Sequence, residues 1–253
     1  MAFSEEIERA QGVSGELVLR RGPAGLEIVA NGVFLVSAAN AASSRALAAA
    51  AWPHVDGDDL RVLLGGLGIG DALDEALASE RVASVTVAEL EPVIVRWFHE
   101  HGGEPARRAL AAERAGRAHI VVADVAELLA GSTQRWDVVA LDTDNGPEWL
   151  VRGENARLYA PAGLCAVRAA LRPGGVAVFW SPEDYPSFEG DLRDVFDDVV
   201  TAGAVDVIDG RRLEYTMYVG RRADGGRSAA GVHLTESARG GGTARGEARR
   251  ERR

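Results

Sequence analysis

The stretch Leu60–Glu91, LRVLLGGLGIGDALDEALASERVASVTVAELE, limits the fold more than any other part of the chain. Arg61-Val62-Leu63-Leu64 is a short apolar run without polar alternation, the pattern of a parallel strand covered on both faces. Gly65, Gly66, Gly68 and Gly70 follow at once, so the backbone can turn tightly and a ligand can approach it closely. Asp71–Ser79 has helical composition, with Ala72, Leu73, Ala76 and Leu77 at helical spacing. Val82–Ala88 reads as the next buried strand, and Glu89 stands where it emerges. A carboxylate there can accept two hydrogen bonds from a ribose diol, while the glycine turn leaves room for the rest of a nucleoside.

The same stretch separates nucleosides from dinucleotides. Reading G-x-G-x-x-G from Gly66 and Gly68 puts Asp71 where a Gly or Ala should pack the helix. An acid opening that helix also repels a pyrophosphate. A nucleoside carrying a sulfonium has no phosphate and meets no such repulsion, which favours S-adenosylmethionine or its decarboxylated form over a nicotinamide cofactor.

Strand and helix patterns continue to alternate after Glu91. Pro92–Phe98 reads as a helix, Pro105–Arg114 as a polar, Arg-bearing helical or loop segment, and His119–Val122 as a third buried strand closed by Asp124. Val125–Leu129 begins the next helix, and Trp136–Leu141 is a fourth strand ending in Asp142-Thr143-Asp144-Asn145-Gly146-Pro147. Asn155–Leu171 is predicted helical, Val176–Ser181 is a fifth strand, and Phe188–Val200 a further helix. Val205–Asp209 and Leu213–Gly220 then read as a hairpin across Gly210-Arg211-Arg212. A sheet made of two dinucleotide halves would continue with parallel units. An antiparallel hairpin at this point predicts the seven-stranded α/β sheet of S-adenosylmethionine-dependent methyltransferase-like proteins.

Ahead of that sheet, residues 1–14 are polar and read as a frayed arm or short helix. Glu16–Arg21, Gly25–Asn31 and Gly32–Val36 read as short strands of a small antiparallel β appendage, and Ser37–Trp52 as a helix closed by Pro53. The expected organisation is an arm over 1–14, the appendage and its helix over 15–54, the nucleoside-binding domain over 55–220, and an Arg-rich tail over 221–253. That tail lacks apolar periodicity and reads as disordered.

Charge limits the partners. The chain of 253 residues carries a formal net charge of −10. Residues 221–253 hold nine Arg against four acids, which leaves about −15 on the preceding 220 residues. An acidic body repels nucleic acid and attracts cations, polyamines among them. All 28 basic residues are Arg, which reads as genome-wide base composition, so single arginines carry little functional weight. The polar start lacks the apolar region of a signal peptide, and no apolar run approaches the roughly 20 residues of a membrane span. With a single cysteine, Cys165, no internal disulfide can form, and a cytoplasmic location is expected. Its Ala/Leu-rich setting predicts buried packing. Among His54, His99, His101, His119 and His233 only His99-x-His101 approaches a metal-ligand spacing, and no metal is expected.

Ligands of open α/β sheets gather outside the carboxyl ends of the strands. Those ends bring together Gly65, Gly66, Gly68 and Gly70, then Glu89, Asp124, and Asp142 with Asp144. The bland alternatives are glycines serving helix packing and Asp124 capping the helix at Val125. Trp149 and Tyr185 follow strands at the same edge and are candidate covers for a substrate, whereas Trp97, Trp136 and Trp180 fit core packing as well as a pocket.

The glycine stretch, His119–Asp124, Trp136–Asp142, Leu171–Val176 and the appendage with Asn31–Leu35 together resemble the spermidine synthase family, over roughly residues 15–220. The resemblance implies that Glu89 holds the ribose hydroxyls, Asp124 the adenine amino group, and that Asp142 handles the attacking amine. It also implies a homodimer. The chain departs from the family at Gly68, where an Asp is usual, at Asn145 in place of a second Asp, at Leu35 in place of a Gln, and at Ser44-Arg45-Ala46 in place of a Tyr-His-Glu cluster. The expected activity is transfer from S-adenosylmethionine or its decarboxylated form to a small-molecule amine, with Asp142 as base and Asp144 in support. Methyl transfer and a non-catalytic binding role stay open as alternatives.

Overall fold

The computed structural model describes residues 4–143, 146, 152–208 and 210–224. Asp144, Asn145, Trp149 and most of the Arg-rich tail therefore lie outside the described residues.

The chain opens with an antiparallel sheet of four strands in sequential order: β1 (Glu5–Gly12), β2 (Gly15–Gly22), β3 (Gly25–Ala30) and β4 (Val33–Ser37). The segment over 5–12, read from sequence as a polar arm, is thus a full strand. Its charges are matched across the ladder, with Glu5 opposite Arg21 and Glu6 opposite Arg20. Ile7 and Ala10 pack against the main core, which polar composition alone does not reveal. A 3-10 turn at Ala38–Asn40 leads into helix α1 (Ala41–Ala49).

The main unit then runs β5 (Leu60–Gly65), α2 (Asp71–Ala78), β6 (Val82–Glu89), α3 (Pro92–His101), α4 (Gly103–Arg114), β7 (Ala118–Val122), α5 (Val125–Ala130) and β8 (Trp136–Leu141). It closes with α6 (Ala156–Tyr159), α7 (Pro161–Ala170), β9 (Leu171–Ser181), α8 (Pro186–Val195), β10 (Asp198–Ile208) and β11 (Arg211–Arg221). The seven-stranded order is β10-β11-β9-β8-β5-β6-β7, parallel from β9 through β7, with β11 antiparallel to β9 and to β10. This is the expected α/β sheet, with its terminal hairpin and its separate N-terminal antiparallel sheet.

Alternate residues of the strands build two cores. Val62 and Leu64, Val85 and Val87, Val138 and Ala140, and Val176 and Val178 meet α1–α4 on one face. Leu63, Val139, Leu141, Ala177 and Phe179 meet α5–α8 on the other. Burial on both faces is why these strands read as unbroken apolar runs.

Two helices and one cysteine also differ from the sequence reading. The helix predicted over Asn155–Leu171 is broken at Ala160, which takes φ −69° and ψ 156° because Pro161 follows it. Helix α8 ends at Val195, and the β-branched run Val199-Val200-Thr201 belongs to an eleven-residue strand paired with β11 along its whole length. Cys165 is exposed: Leu164, Val167 and Ala170 form the buried stripe of α7, and Cys165 falls outside it.

The hairpin and the N-terminal sheet are fastened by buried carboxylates. Asp206 of β10 accepts from the amides of Ala42 and Ser43 at 3.0 and 3.1 Å, capping α1 from a distant part of the chain. Glu91 accepts from the amides of Val13 and Ser14 at 2.7 Å each, tying the β1–β2 turn to the end of β6.

Candidate functional site

The strand order reverses between β5 and β8, and a crevice opens outside their carboxyl ends. It is part of a cleft of about 1530 Å³ between this edge, the N-terminal sheet and α1. Gly66 and Gly68 line it, both with left-handed backbone at φ 96° and 53°. A Cβ on Gly66 would come 2.4 Å from the carbonyl oxygen of Asp142, so only glycine lets the turn pass beside β8. Gly65 and Gly70 do not reach the cleft and serve packing. A Cβ on Gly70 would lie 2.2 Å from the Phe98 ring.

Glu89 ends β6 and is 6% exposed. One carboxylate oxygen accepts from the Leu67 amide at 2.8 Å and the other from the Glu91 amide at 2.9 Å. The glycine turn and the start of α3 thereby hold the carboxylate in place. Burial pushes its pKa above the ordinary carboxylate range against these two amides. An ionised carboxylate has about four acceptor positions, so two bonds leave capacity for a diol.

Asp124 has one oxygen on the amide of Ala126 at 2.9 Å, which caps α5. The other oxygen meets the guanidinium of Arg157, with Arg152 at 3.6 Å. Arg152 also reaches Glu154 at 3.4 Å. Sequence reading missed both arginines, since their partner lies some thirty residues away in the chain.

Asp142 lies at the cleft wall, its backbone amide donating to the Gly65 carbonyl at 3.0 Å. Thr143 follows it, its carbonyl accepting from the Asn155 side chain at 2.8 Å. Asp71 opens α2 and is buried, and its carboxylate accepts from Arg45 of α1 at 3.2 Å. Burial raises the Asp71 pKa, with Arg45 opposing. The arginine at the departure from the family pattern thus has an acid partner in the cleft wall.

Seven carboxylates line the cleft among the described residues: Glu27, Asp71, Glu89, Glu91, Asp124, Asp142 and Glu154. Arg152 is the one basic lining residue in that set. Asp71, Asp124 and Glu154 are ion-paired with Arg45, Arg157 and Arg152, and the remaining excess of acid favours cations over phosphates. Glu27, Glu91 and Glu154 were not singled out from sequence, although Glu91 stands two residues beyond Glu89, where the chain leaves β6. Of the tryptophans, Trp97 and Trp136 are core at 1% and 3% exposure, whereas Trp180 lines the cleft. Tyr185 is not among the lining residues. It precedes α8, its amide donates to the Tyr218 hydroxyl, and it packs against the α5–α8 core.

A spermidine synthase solved with the transition-state analogue AdoDATO matches with a TM-score of 0.69 and 17% identity, over 87% of this chain and 73% of that one. The spermidine synthase from Thermotoga maritima matches with a TM-score of 0.67 and 16% identity, over the same shares. No protein-family model matches the chain, and no curated protein matches it by sequence. At this identity the likeness establishes the fold, which is methyltransferase-like with an added N-terminal β-sheet. Among the described residues no helix is long and apolar enough to cross a membrane.

Proposed function

We propose that this chain binds an adenosyl sulfonium, S-adenosylmethionine or its decarboxylated form, and transfers a carbon group from it to a small-molecule amine. The observation that carries the reading is Glu89, fixed by two backbone amides beside a left-handed glycine turn in a cleft lined by seven carboxylates and one arginine. Both reactants are cations, and both gain from that wall. Glu89 accepts from the ribose hydroxyls, Gly66 and Gly68 let the nucleoside approach the backbone, and Asp124 faces the adenine edge with the acceptor capacity left by its ion pairs.

When bound, the donor supplies an electrophilic carbon on sulfur, and its carbon–sulfur pair leaves with the thioether as the carbon–nitrogen bond forms. The protein's part is alignment and proton handling. An amine with a pKa near about 10.4 is nearly all charged at neutral pH. Asp142 draws the ammonium to the β5–β8 crevice and takes its proton as attack proceeds, with Asp144 in support. Trp149 is a candidate cover for the site. The name of the solved neighbours supports aminopropyl transfer, and methyl transfer is the alternative at the same site. A cytoplasmic homodimer in which the N-terminal sheet contributes to the contact completes the reading.

Calorimetric titration with S-adenosylmethionine, its decarboxylated form and methylthioadenosine tests the donor. Binding of methylthioadenosine and at least one donor is expected. No binding of any of the three would overturn the reading, and tight binding of the carboxylated donor alone would move it to methyl transfer. With a turned-over amine in hand, Asp142→Asn is expected to lower kcat by about 10²–10⁴ while methylthioadenosine affinity stays unchanged. Undiminished turnover would remove Asp142 from its role.

A further inference from the structure

The half of the cleft beyond Asp142 has a composition that selects among amines. Leu141 of β8 lies opposite Phe179 of β9, so the next residues along, Asp142 and Trp180, stand at neighbouring strand ends. Beyond Trp180 the sheet continues into the β10–β11 hairpin, which lends Val207 and Ile208 to the cleft. Strands β9, β10 and β11 therefore contribute to the described lining only Trp180, Val207 and Ile208, an apolar set. The 3-10 turn at Ala38–Asn40, which follows β4, packs against β10 and adds Ala39 and Asn40 to the lining.

Two described acids of this half are engaged away from the cleft. Asp206 is buried and caps α1 through the amides of Ala42 and Ser43. Asp184 accepts from the Tyr218 hydroxyl at 2.9 Å. The Trp180 ring is also held firmly: it lies 5.3 Å from the Tyr215 ring, and the Tyr215 hydroxyl accepts from Asn40 at 2.6 Å. A fixed aromatic surface with aliphatic neighbours favours an apolar group, and among the described residues it offers a second ammonium no carboxylate from these strands.

We propose that the acceptor is a primary amine carrying a single charge and an apolar, preferably aromatic, body. Its ammonium lies at Asp142 and its body packs on Trp180, Val207 and Ile208. This rests on the amine-acceptor reading above and narrows it away from linear diamines, whose second ammonium would be carried into the apolar end.

The test uses 2-phenylethylamine and putrescine, titrated calorimetrically into the full chain, with methylthioadenosine titrated separately. The expected result is 2-phenylethylamine binding at least tenfold tighter than putrescine. Trp180→Ala should weaken 2-phenylethylamine at least tenfold and leave the methylthioadenosine Kd within twofold. Because Trp180 is partly in the core, Val207→Asp provides a second variant at a site 68% exposed. It places an acid at the apolar end, and should narrow or reverse the preference in favour of putrescine. Tighter binding of putrescine by the unmodified chain, binding of neither amine, or an unchanged ranking in Val207→Asp would overturn the inference. Amine selectivity as expected without methylthioadenosine binding would sink the donor reading and leave this inference standing.

Discussion

Glu89→Gln separates a nucleoside site from a merely structural carboxylate. Glu89 uses one oxygen for the Leu67 amide and the other for the Glu91 amide, at 2.8 and 2.9 Å. Glutamine offers one carbonyl oxygen and one NH₂, so one of the two amides must face a donor. A buried donor left unpaired costs about 1–3 kcal/mol, and release from burying a carboxylate offsets part of it. A net loss of about 1–2 kcal/mol is expected, which for a domain of this size lowers Tm by about 2–8 °C. The ribose loses a charged acceptor worth about 1.5–3 kcal/mol, equivalent to roughly a 10- to 150-fold weaker Kd.

Methylthioadenosine is the right probe, because it carries the ribose diol and adenine without the sulfonium charge. Calorimetry supplies Kd and thermal unfolding supplies Tm. The pH dependence adds a second reading. Burial raises the folded-state pKa of Glu89 above its ordinary 4.5. The stability linked to its protonated form is therefore full below the unfolded value and is lost as pH rises through the folded one. The diol prefers the carboxylate, so affinity should fall as pH drops through the same folded value. Stability and affinity then run in opposite directions across a window above 4.5, and both trends should flatten in Glu89→Gln. If the variant loses Tm as expected but binds methylthioadenosine within twofold of the parent, Glu89 is a brace for the turn and the nucleoside assignment fails.

Other perturbations test the frame around the site. Glu91→Gln should cost about 2–3 kcal/mol, since one of the two 2.7 Å amide bonds to the β1–β2 turn is lost at a buried position. Hydrogen exchange at Val13 and Ser14 should speed up, and unchanged protection there would refute the fastening. Gly66→Ala should abolish nucleoside binding or folding, as its Cβ would meet the Asp142 carbonyl at 2.4 Å on a left-handed backbone; a variant that folds and binds within threefold would contradict the close approach. Asp206→Ala removes the acceptor for two α1 amides and should lower stability by about 1–2 kcal/mol in urea unfolding, and a loss below about 0.5 kcal/mol would show that the cap is dispensable.

The parallel strands were legible in the sequence because a strand buried on both faces must be apolar throughout. Val62–Leu64 and Val138–Leu141 keep this pattern unbroken, and Val85–Ala88 departs from it only at the half-buried Thr86. The strand-end positions of Gly66, Gly68, Glu89, Asp124 and Asp142 follow from the same logic, since a polar residue closing such a run stands at the ligand edge. The antiparallel hairpin was legible from where the helix–strand alternation stops, though not its length. Local pattern failed where pairing decides the outcome: β1 is polar and becomes a strand because β2 matches its charges and the main core receives Ile7 and Ala10.

Only the tertiary structure decided which carboxylates turn inward and which face the cleft. Asp206 meets the α1 amides across more than 160 residues, Glu91 reaches back 77 and 78, and Asp124 is met by Arg157 from 33 residues on. Nothing within one turn or strand of these residues announces such partners. Trp97 and Trp180 sit in similar apolar surroundings in the sequence, yet one is sealed in the core and the other walls the cleft beside Asp142. Periodicity fixes the face on which a side chain emerges. What waits on that face is set by packing between elements distant in sequence.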